Sequence, residues 1–365
     1  MLYEHITLQK GHREMRKTTK KLVAVLVAVV MMMTCLGVSA FATWGRNDTT
    51  RTAETMVVLG DSIATGYGLN CDPSNPYTID NQMARGNGQY TQGSYAQIVA
   101  DTLGVKNRYN YARDMFRSEE VRRLIDPEFE AYIQKYENSQ ERFLSDAICM
   151  IADCQPEQFV TISMEAQQTI PKADIIVLNF GNNDGGTFGF VAPFLKTMYY
   201  TYGLGLETAT AAMKGQLEML TSLDQYMTLI GGYADYMTEM ENGKQNFFKN
   251  YDAIIARLRQ MNPNAEIYFM GMYDCFKDLN PQDNQIRQFL SDQAVIFDTD
   301  INNYVQYGSP YANEVTFVGC PEVEMWDTAD FMTPQYFINF LISVHPNFNG
   351  HHYMAGNLLR AINSK

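Results

Sequence analysis

Two short apolar runs in this sequence are each followed at once by glycine and polar residues. Met56–Leu59 runs into Gly60–Ser62, and Asp174–Phe180 runs into Gly181–Asp184. An apolar run of this length that ends at a turn is typical of a buried strand. Stretches with helical spacing separate these runs, which predicts an α/β fold with a parallel sheet covered by helices on both faces.

The rest of the chain continues this alternation of strands and helices. Further strands are predicted at Tyr109–Ala112, Ala265–Gly271 and Ala294–Phe297. Helices are predicted at Tyr95–Leu103, Ser118–Ile170 (with breaks near Pro127 and Pro156), Phe247–Met261 and Gly350–Ile362. No internal repeat is present, so we expect one domain over 56–365.

A Met-, Tyr- and Phe-rich segment at about 187–245 interrupts the alternation and reads as a helical insertion. Such residues more often fill a core than form a binding surface. The alternative is a lid or wall over a site, since insertions beside a site often shape it.

The first 42 residues have the pattern of a secretory signal. Basic residues up to Lys21 precede Leu22–Ala42, which has 21 residues and no charge. Ala40–Ala42 reads as a small-residue cleavage site. We therefore expect a cleaved signal peptide over 1–42, a polar linker over 43–55, and a secreted protein with no stable membrane span. The alternative is a membrane anchor at Leu22–Ala42, because 21 apolar residues just span a bilayer.

The chain has 28 Lys and Arg residues against 41 Asp and Glu residues, a formal net charge of −13. Nucleic-acid binding needs a basic face, so this balance argues against a nucleic-acid partner. Removal of residues 1–42 takes away six basic and two acidic residues and leaves a net charge of −17. Five cysteines remain, so at least one is unpaired. Cys149 and Cys154 are close enough in sequence to form a bridge, unless a helix holds them apart. No spacing typical of a zinc site occurs.

Three polar clusters carry the residue types that acyl transfer requires. Ser62 follows the first strand, Asn183 follows the strand that ends near Phe180, and His345 precedes the last helix. A serine hydroxyl needs a base such as histidine to accept its proton. An asparagine side chain can donate a hydrogen bond to the oxyanion that forms. In a parallel sheet, residues that follow strands meet at the carboxyl edge, where sites lie.

These clusters resemble the sequence blocks of the SGNH (GDSL-type) hydrolase family. Gly60–Ile63 matches the first block, with Ile63 in place of the usual Leu, and Gly181–Asp184 matches the Gly-x-Asn-Asp block. His345–Asn347 matches the last block. The resemblance covers 56–360 with the blocks in the family's order. It implies a flavodoxin-like three-layer α/β/α sandwich and an esterase, lipase or carbohydrate O-deacetylase.

The resemblance also implies a role for each residue of the blocks. Ser62 is the expected nucleophile and also donates its own N–H to the oxyanion. Asn183 is the expected side-chain donor, and His345 is the expected base. Asp61 and Asp184 are expected to hold turns by accepting hydrogen bonds from backbone N–H groups.

Two positions depart from the family pattern. The family usually has an acid three residues before the histidine, and Ile342 stands there. A backbone carbonyl or an acid at Asp327 or Asp330 are the alternatives for orienting His345. The family also usually has a glycine as a second backbone oxyanion donor, and Met115 stands there. The Met115 N–H can serve if the backbone does not require a positive φ.

The sequence therefore predicts a secreted serine esterase that uses an acyl-enzyme and needs no metal or organic cofactor. Its substrate is expected to be a small-molecule, glycan or lipid ester. The secretion signal and acidic surface favour the O-acetyl group of a polysaccharide, whereas the apolar insertion favours a lipid. The alternative is a catalytically weakened member that binds a glycan or lipid. His351 and His352 are rivals for His345, but their place at the start of the last helix favours a surface or capping position.

Overall fold

A parallel sheet of five strands lies at the centre of the part of the chain that the structure describes. This computed structural model describes residues 53–69, 90–135, 140–151, 154, 156–219, 225, 228, 232–277, 284–326 and 344–365. The strands are β1 (Thr55–Gly60), β2 (Asn107–Asn110), β3 (Ile175–Asn179), β4 (Glu266–Met270) and β5 (Val315–Val318). They lie in the order β2-β1-β3-β4-β5, and every neighbouring pair is parallel.

Helices fill the connections between these strands. Their bounds are α1 Ser62–Thr65, α2 Tyr95–Thr102, α3 Ser118–Ile125, α4 Pro127–Lys135, α5 Gln140–Ile151, α6 Pro156–Thr169, α7 Phe188–Lys196, α8 Leu206–Met219, α9 Tyr233–Met261, α10 Asn284–Asn303 and α11 Phe348–Asn363. The predicted helices are confirmed, including the breaks near Pro127 and Pro156. The helix predicted to begin at Phe247 begins earlier, at Tyr233.

The side chains of β1 alternate between the two faces of the sheet. Val57 and Leu59 belong to the same core as helices α3, α6 and α9. Met56 and Val58 belong to a second core, together with α2 and α11. Because each face of the sheet has its own helical layer, the structure is a three-layer α/β/α sandwich. The fold class implied by the sequence is confirmed.

One predicted strand is wrong and one strand was not predicted. Ala294–Phe297 lies inside helix α10, where Ala294 and Phe297 are buried but Val295 and Ile296 are about half exposed. That pattern is the face of a helix, and a four-residue apolar run alone does not distinguish it from a strand. The fifth strand is instead Val315–Val318 at the edge of the sheet. Thr55, the last residue of the predicted linker, is the first residue of β1.

The chain reverses its direction across the sheet at β1. From β1 the chain goes to β2 on one side and then returns to β3 on the other side. Ligands of open parallel sheets bind beyond the carboxyl ends of the strands at such a reversal. Gly60 and Asn179 pair at the ends of β1 and β3, so the turns that follow these two strands lie side by side.

Candidate active site

Ser62 is the first residue of α1, on the turn that follows β1. Asp61 caps this helix, because its Oδ1 accepts a hydrogen bond of 3.0 Å from the Ile63 N–H. The turn lies so close to β3 that a Cβ on Gly60 would come within 2.2 Å of the Asn179 carbonyl oxygen. Only glycine fits at position 60. This close packing against β3 fixes the position of the turn that carries Ser62.

The carboxyl group of Asp61 is fully buried beside this turn. Burial raises its pKa to about 8, and the charges of Asp184 and Asp114 act in the same direction. The Asp61 side chain is therefore largely protonated at neutral pH. The expectation that Asp61 holds the turn by accepting from a backbone N–H is confirmed.

The structure brings His345 to Ser62, although the two residues are 283 positions apart in the sequence. His345 Nε2 lies 2.7 Å from Ser62 Oγ, and both side chains are almost buried. A hydroxyl that donates to Nε2 requires the imidazole tautomer with its proton on Nδ1. In this arrangement the hydroxyl proton points at a base, which is the ground-state geometry for general-base activation of a serine.

The backbone that follows His345 is held in place by a short stretch of pairing. Pro346 forms an antiparallel bridge with Met325. The Trp326 N–H donates to the His345 carbonyl at 3.2 Å. Asn347 then caps α11 by accepting a hydrogen bond of 2.9 Å from a backbone N–H of its first turn. The backbone from His345 into α11 is thus fixed by these contacts.

Asn183 begins a π-helical turn, Asn183–Thr187, shortly after β3. Its side chain is buried, and Nδ2 donates a hydrogen bond of 3.0 Å to the Phe116 carbonyl. The next residue, Asp184, accepts from both the N–H (2.8 Å) and the hydroxyl of Ser118, the first residue of α3. Burial raises the pKa of Asp184 to about 7. The expected turn-holding role of Asp184 is confirmed, and these bonds fix the Asn183 carboxamide.

Met115 adopts a left-handed backbone conformation, with a φ of 67°, and it is the one non-glycine residue of the described ranges with a positive φ. It lies in a loop that is attached on both sides. Asp114 accepts a hydrogen bond of 2.7 Å from Thr65 Oγ1 at the end of α1, and Phe116 accepts the bond from Asn183. The condition set for Met115 from the sequence, that the backbone there does not require a positive φ, is wrong, because the loop keeps a shape that suits glycine at the position where the family usually has glycine. Met115 adopts this shape itself and retains its N–H.

His351, a rival from the sequence, takes a structural role. The expectation of a surface or capping position is wrong for His351, which is fully buried, whereas it holds for His352, which is exposed. His351 Nδ1 accepts a hydrogen bond of 3.3 Å from the Tyr95 N–H. Burial, assisted by the charges of the two neighbouring histidines, lowers the pKa of His351 to about 3. His351 is thus neutral and joins α11 to α2.

Three residues that bear on the orientation of His345 lie outside the described residues: Ile342, Asp327 and Asp330. The group that orients the imidazole therefore stays a prediction.

Sequence reasoning missed two residues of the site. The ring of Tyr67 lies over the His345 imidazole, with 4.5 Å between ring centroids and 35° between planes. Ser118 holds Asp184, as described above. Ser118 stands at the start of a predicted helix, where serine is common, and this is the signal that could have found it. The only sequence signal for Tyr67 is its position five residues after Ser62.

Residues 56–358 match the sequence profile of the GDSL-like lipase/acylhydrolase family. The chain belongs to this family. The resemblance drawn from Gly60–Ile63, Gly181–Asp184 and His345–Asn347 is confirmed, and this GDSL hydrolase is an enzyme that acts on ester bonds. No curated protein sequence matches it.

Several solved structures are similar to this GDSL hydrolase. An extracellular lipase from Streptomyces rimosus is 13% identical, with 86% of this chain and 99% of that chain covered and a TM-score of 0.44. Phospholipase A1 from Streptomyces albidoflavus is 13% identical, with coverage of 86% and 100% and a TM-score of 0.41. A family two carbohydrate esterase from Clostridium thermocellum is 15% identical, with coverage of 86% and 64% and a TM-score of 0.38. Identities this low carry no information about substrate.

Other expectations concern membrane spans, metals and cysteines. Within the described ranges, no helix is both long and apolar enough to cross a membrane. No group of three or more His, Cys, Asp or Glu side chains in this part of the chain is placed to hold a metal ion. Cys149 and Cys154 do not form a disulfide with each other in this structure. Leu22–Ala42 lies outside the described residues.

Proposed function

We propose that this GDSL hydrolase is a secreted serine esterase in which Ser62 is the nucleophile and His345 is the base. The observation that carries the proposal is the 2.7 Å contact between Ser62 Oγ and His345 Nε2. A serine hydroxyl is a weak nucleophile at neutral pH until a base accepts its proton. The burial of both side chains strengthens their interaction because little water competes for it.

The reaction proceeds in two stages. Ser62 Oγ attacks the ester carbonyl carbon while its proton passes to His345 Nε2, and the carbonyl oxygen takes the negative charge. The tetrahedral intermediate then collapses, the bond to the alkoxide oxygen breaks, and His345 returns the proton to the leaving alcohol. In the second stage His345 accepts a proton from water, the hydroxide attacks the acyl-enzyme, and the acid leaves as Ser62 recovers its proton.

Three donors are assigned to the oxyanion: the Asn183 side chain and the N–H groups of Ser62 and Met115. Support for this assignment comes from the hydrogen bonds that tie their segments together. The loop of Met115 is joined to α1 by the bond from Thr65 to Asp114, and to Asn183 by the bond to Phe116. Donors that are held in place before reaction stabilise the developing charge without a cost of reorganisation.

For the substrate we favour an O-acetyl group of an extracellular polysaccharide over a lipid ester. The side chains of Phe194 and Leu195 in α7 are buried in the core, so this part of the apolar insertion serves packing. The Trp326 N–H donates to the His345 carbonyl, and the Trp326 ring lies edge to face with the Phe348 ring at 5.8 Å. Phe348 is 46% exposed. Aromatic rings offer large apolar faces, and these suit the C–H face of a sugar.

Hydrolysis of p-nitrophenyl acetate by the full chain tests the nucleophile and the base. Ser62→Ala and His345→Gln should each reduce the rate to background, because removal of either member of such a pair costs about 10⁶-fold. Ser364→Ala, an exposed serine at the carboxyl end of α11, is the matched control and should keep full activity. Equal, background-level rates for the wild type and Ser62→Ala would instead support a protein that binds a glycan or lipid without turnover.

Acyl chain length separates the two substrate classes. We expect kcat/KM for p-nitrophenyl acetate to exceed that for p-nitrophenyl palmitate by at least about tenfold, since a site shaped for acetate excludes longer chains. Release of acetate from acetylated xylan should depend on Ser62. Preference for the palmitate ester would contradict the carbohydrate assignment.

If the exported protein is sequenced from its N-terminus, Thr43 is the expected first residue, and an intact leader would contradict cleavage.

A further inference from the structure

Tyr67 belongs to the same turn as the nucleophile but covers the base. Its backbone N–H donates a hydrogen bond of 3.0 Å to the Ser62 carbonyl, just after α1. Its ring lies against the His345 imidazole, with 4.5 Å between centroids and an angle of 35° between planes. Tyr67 is half-buried. Tyr67 thus joins the segment that carries Ser62 to the His345 imidazole, which accepts the Ser62 proton in the proposed reaction.

An aromatic face attracts a cation that lies within about 6 Å of the ring centroid. His345 becomes a cation when it accepts the Ser62 proton, and its side chain is nearly buried, which disfavours charge. The face of the Tyr67 ring lies within this distance of the imidazole. The ring is therefore positioned to stabilise the imidazolium.

We propose that Tyr67 is a positioning residue that holds the His345 imidazole against Ser62 and stabilises its protonated form. The inference rests on the proposed function, in which His345 accepts the proton as Ser62 Oγ bonds to the carbonyl carbon. It adds no new bond-making step. Between acceptance of the proton and its return to the leaving alcohol, the imidazolium faces the aromatic ring.

Other groups near His345 in the described part of the chain come from α1, α11 and the segment that pairs with Pro346. Ser62 contacts Nε2 directly. His351 of α11 is neutral, because burial and then the charge of His345 lower its pKa to about 3. The Glu324 carboxylate accepts hydrogen bonds from the side chains of Asn347 and Asn349. A change at Tyr67 leaves all of these groups in place.

Three variants of the full chain separate the electrostatic role of the ring from its packing. Tyr67→Phe keeps the aromatic face, Tyr67→Leu removes it, and a pentafluorinated phenylalanine at position 67 keeps the shape but reverses the charge distribution of the ring. Tyr307→Leu is the matched control, since this tyrosine is 78% exposed. The readouts are the pH profile of kcat/KM for p-nitrophenyl acetate and the NMR titration of His345.

We expect Tyr307→Leu to behave as the wild type, and Tyr67→Phe, which keeps the aromatic face, to keep the wild-type midpoint of His345. For Tyr67→Leu and the fluorinated variant, the midpoint of the acidic limb and the NMR midpoint of His345 should fall by about half a unit to one unit. The plateau of kcat/KM should fall about 3- to 10-fold. The chain has five histidines, so the His345 resonance is assigned by its loss in His345→Gln.

The two readouts distinguish failure of this inference from failure of the proposed function. An unchanged midpoint in the fluorinated variant, whatever its plateau, would overturn the role of the ring. If Tyr67→Leu does not fold, the fluorinated variant still decides, because it has nearly the same shape as the wild type. Lack of hydrolysis by the wild type would instead count against the proposed function, and the NMR titration would still measure the effect of the ring on His345.

Discussion

Met115 has a backbone conformation that costs an L-amino acid about 1–2 kcal/mol. The strain persists because the loop is attached at both sides of this residue. Asp114 is bonded to Thr65, and Phe116 accepts from Asn183. Relaxation of Met115 would have to break one of these contacts, and both belong to segments that carry site residues. The strain is therefore maintained by the site itself.

Replacement of Met115 tests this strain. Met115→Gly keeps the N–H and accepts the positive φ, so activity should stay within about threefold and stability within about 1 kcal/mol. Met115→Val is β-branched, for which a positive φ is a severe outlier. It should lower the free energy of unfolding by about 1–2 kcal/mol and kcat/KM at least about tenfold. Urea unfolding and p-nitrophenyl acetate hydrolysis measure both effects.

The control for these variants is Met164→Val on an exposed position of α6, which should change the unfolding free energy by less than about 0.5 kcal/mol. Equal behaviour of the Gly and Val variants at position 115 would show that the backbone there is free to relax.

Single residues of the site were predictable where a local pattern identified them. Ser62, Asn183 and His345 stand in family blocks. Ser62 and Asn183 each follow an apolar run, and the carboxyl ends of parallel strands share one edge of a sheet, so the sequence predicted that these two residues lie at the same edge. The φ of Met115 was not predictable, because few non-glycine residues adopt a positive φ. The ring of Tyr67 reaches His345 only through the tertiary fold, and no spacing in the sequence encodes that contact.

At the scale of elements, the long helix α9 packs directly against the turn that carries Asn183. Gly243 lies within this 29-residue helix, although glycine in a helix costs about 0.5–1 kcal/mol relative to alanine. The reason is the distance to the turn: a Cβ on Gly243 would lie 1.7 Å from the Asp184 carbonyl oxygen. Helix α9 thus packs directly against the backbone next to Asn183, the proposed oxyanion donor.

Two Gly→Ala substitutions in helices should therefore have opposite effects. Gly243→Ala must push Asp184 away and displace Asn183, so we expect a loss of at least about 2 kcal/mol in unfolding free energy and a fall of about tenfold or more in kcat/KM. Gly356→Ala in α11 has no neighbour within 4 Å of its Cβ and should stabilise the protein by about 0.5–1 kcal/mol. Similar changes for both variants would contradict the close packing.

Strands were predicted correctly where an apolar run ended at turn residues and wrongly where it did not. The runs that became β1, β3 and β4 are apolar at their centres and each is followed by a glycine. Ala294–Phe297 has four apolar residues, and these fit one turn of α10 as well as they fit a strand. The edge strand β5 is only partly buried and includes Thr316, so its sequence lacks the continuous apolar character of a central strand.

At the scale of the whole molecule, two buried carboxyl groups link the site to overall stability. Burial raises the pKa of Asp61 to about 8 and that of Asp184 to about 7, whereas the ordinary value is 3.8. Between about pH 4 and pH 8 the folded protein therefore keeps protons on these two carboxyl groups, whereas the same groups are already ionised in the unfolded chain. Stability contributed by these protons is complete below the ordinary pKa and is lost as the pH rises through the folded value.

The net charge of −13 also makes the protein less stable as the pH rises, since repulsion among surface carboxylates grows with pH. A matched pair of variants separates the buried contribution from the surface one. Asp61→Asn removes the buried ionisation while its amide oxygen still accepts from the Ile63 N–H. Asp292→Asn removes one exposed charge on α10 and leaves Asp61 unchanged.

Between about pH 7 and pH 8 Asp61 contributes more of the slope than Asp184, because in the folded protein Asp61 is at least half protonated there and Asp184 is at most half protonated. In this window one proton difference gives a slope of up to about 1.4 kcal/mol per pH unit, and urea unfolding at pH 5, 7 and 8 measures it. We expect Asp61→Asn to flatten this slope and to gain stability over the wild type at pH 8, while Asp292→Asn keeps the wild-type slope. Parallel stability curves for all three proteins would mean that the Asp61 carboxyl binds its proton no more tightly in the folded protein than in the unfolded chain, and the raised pKa of Asp61 would then be wrong.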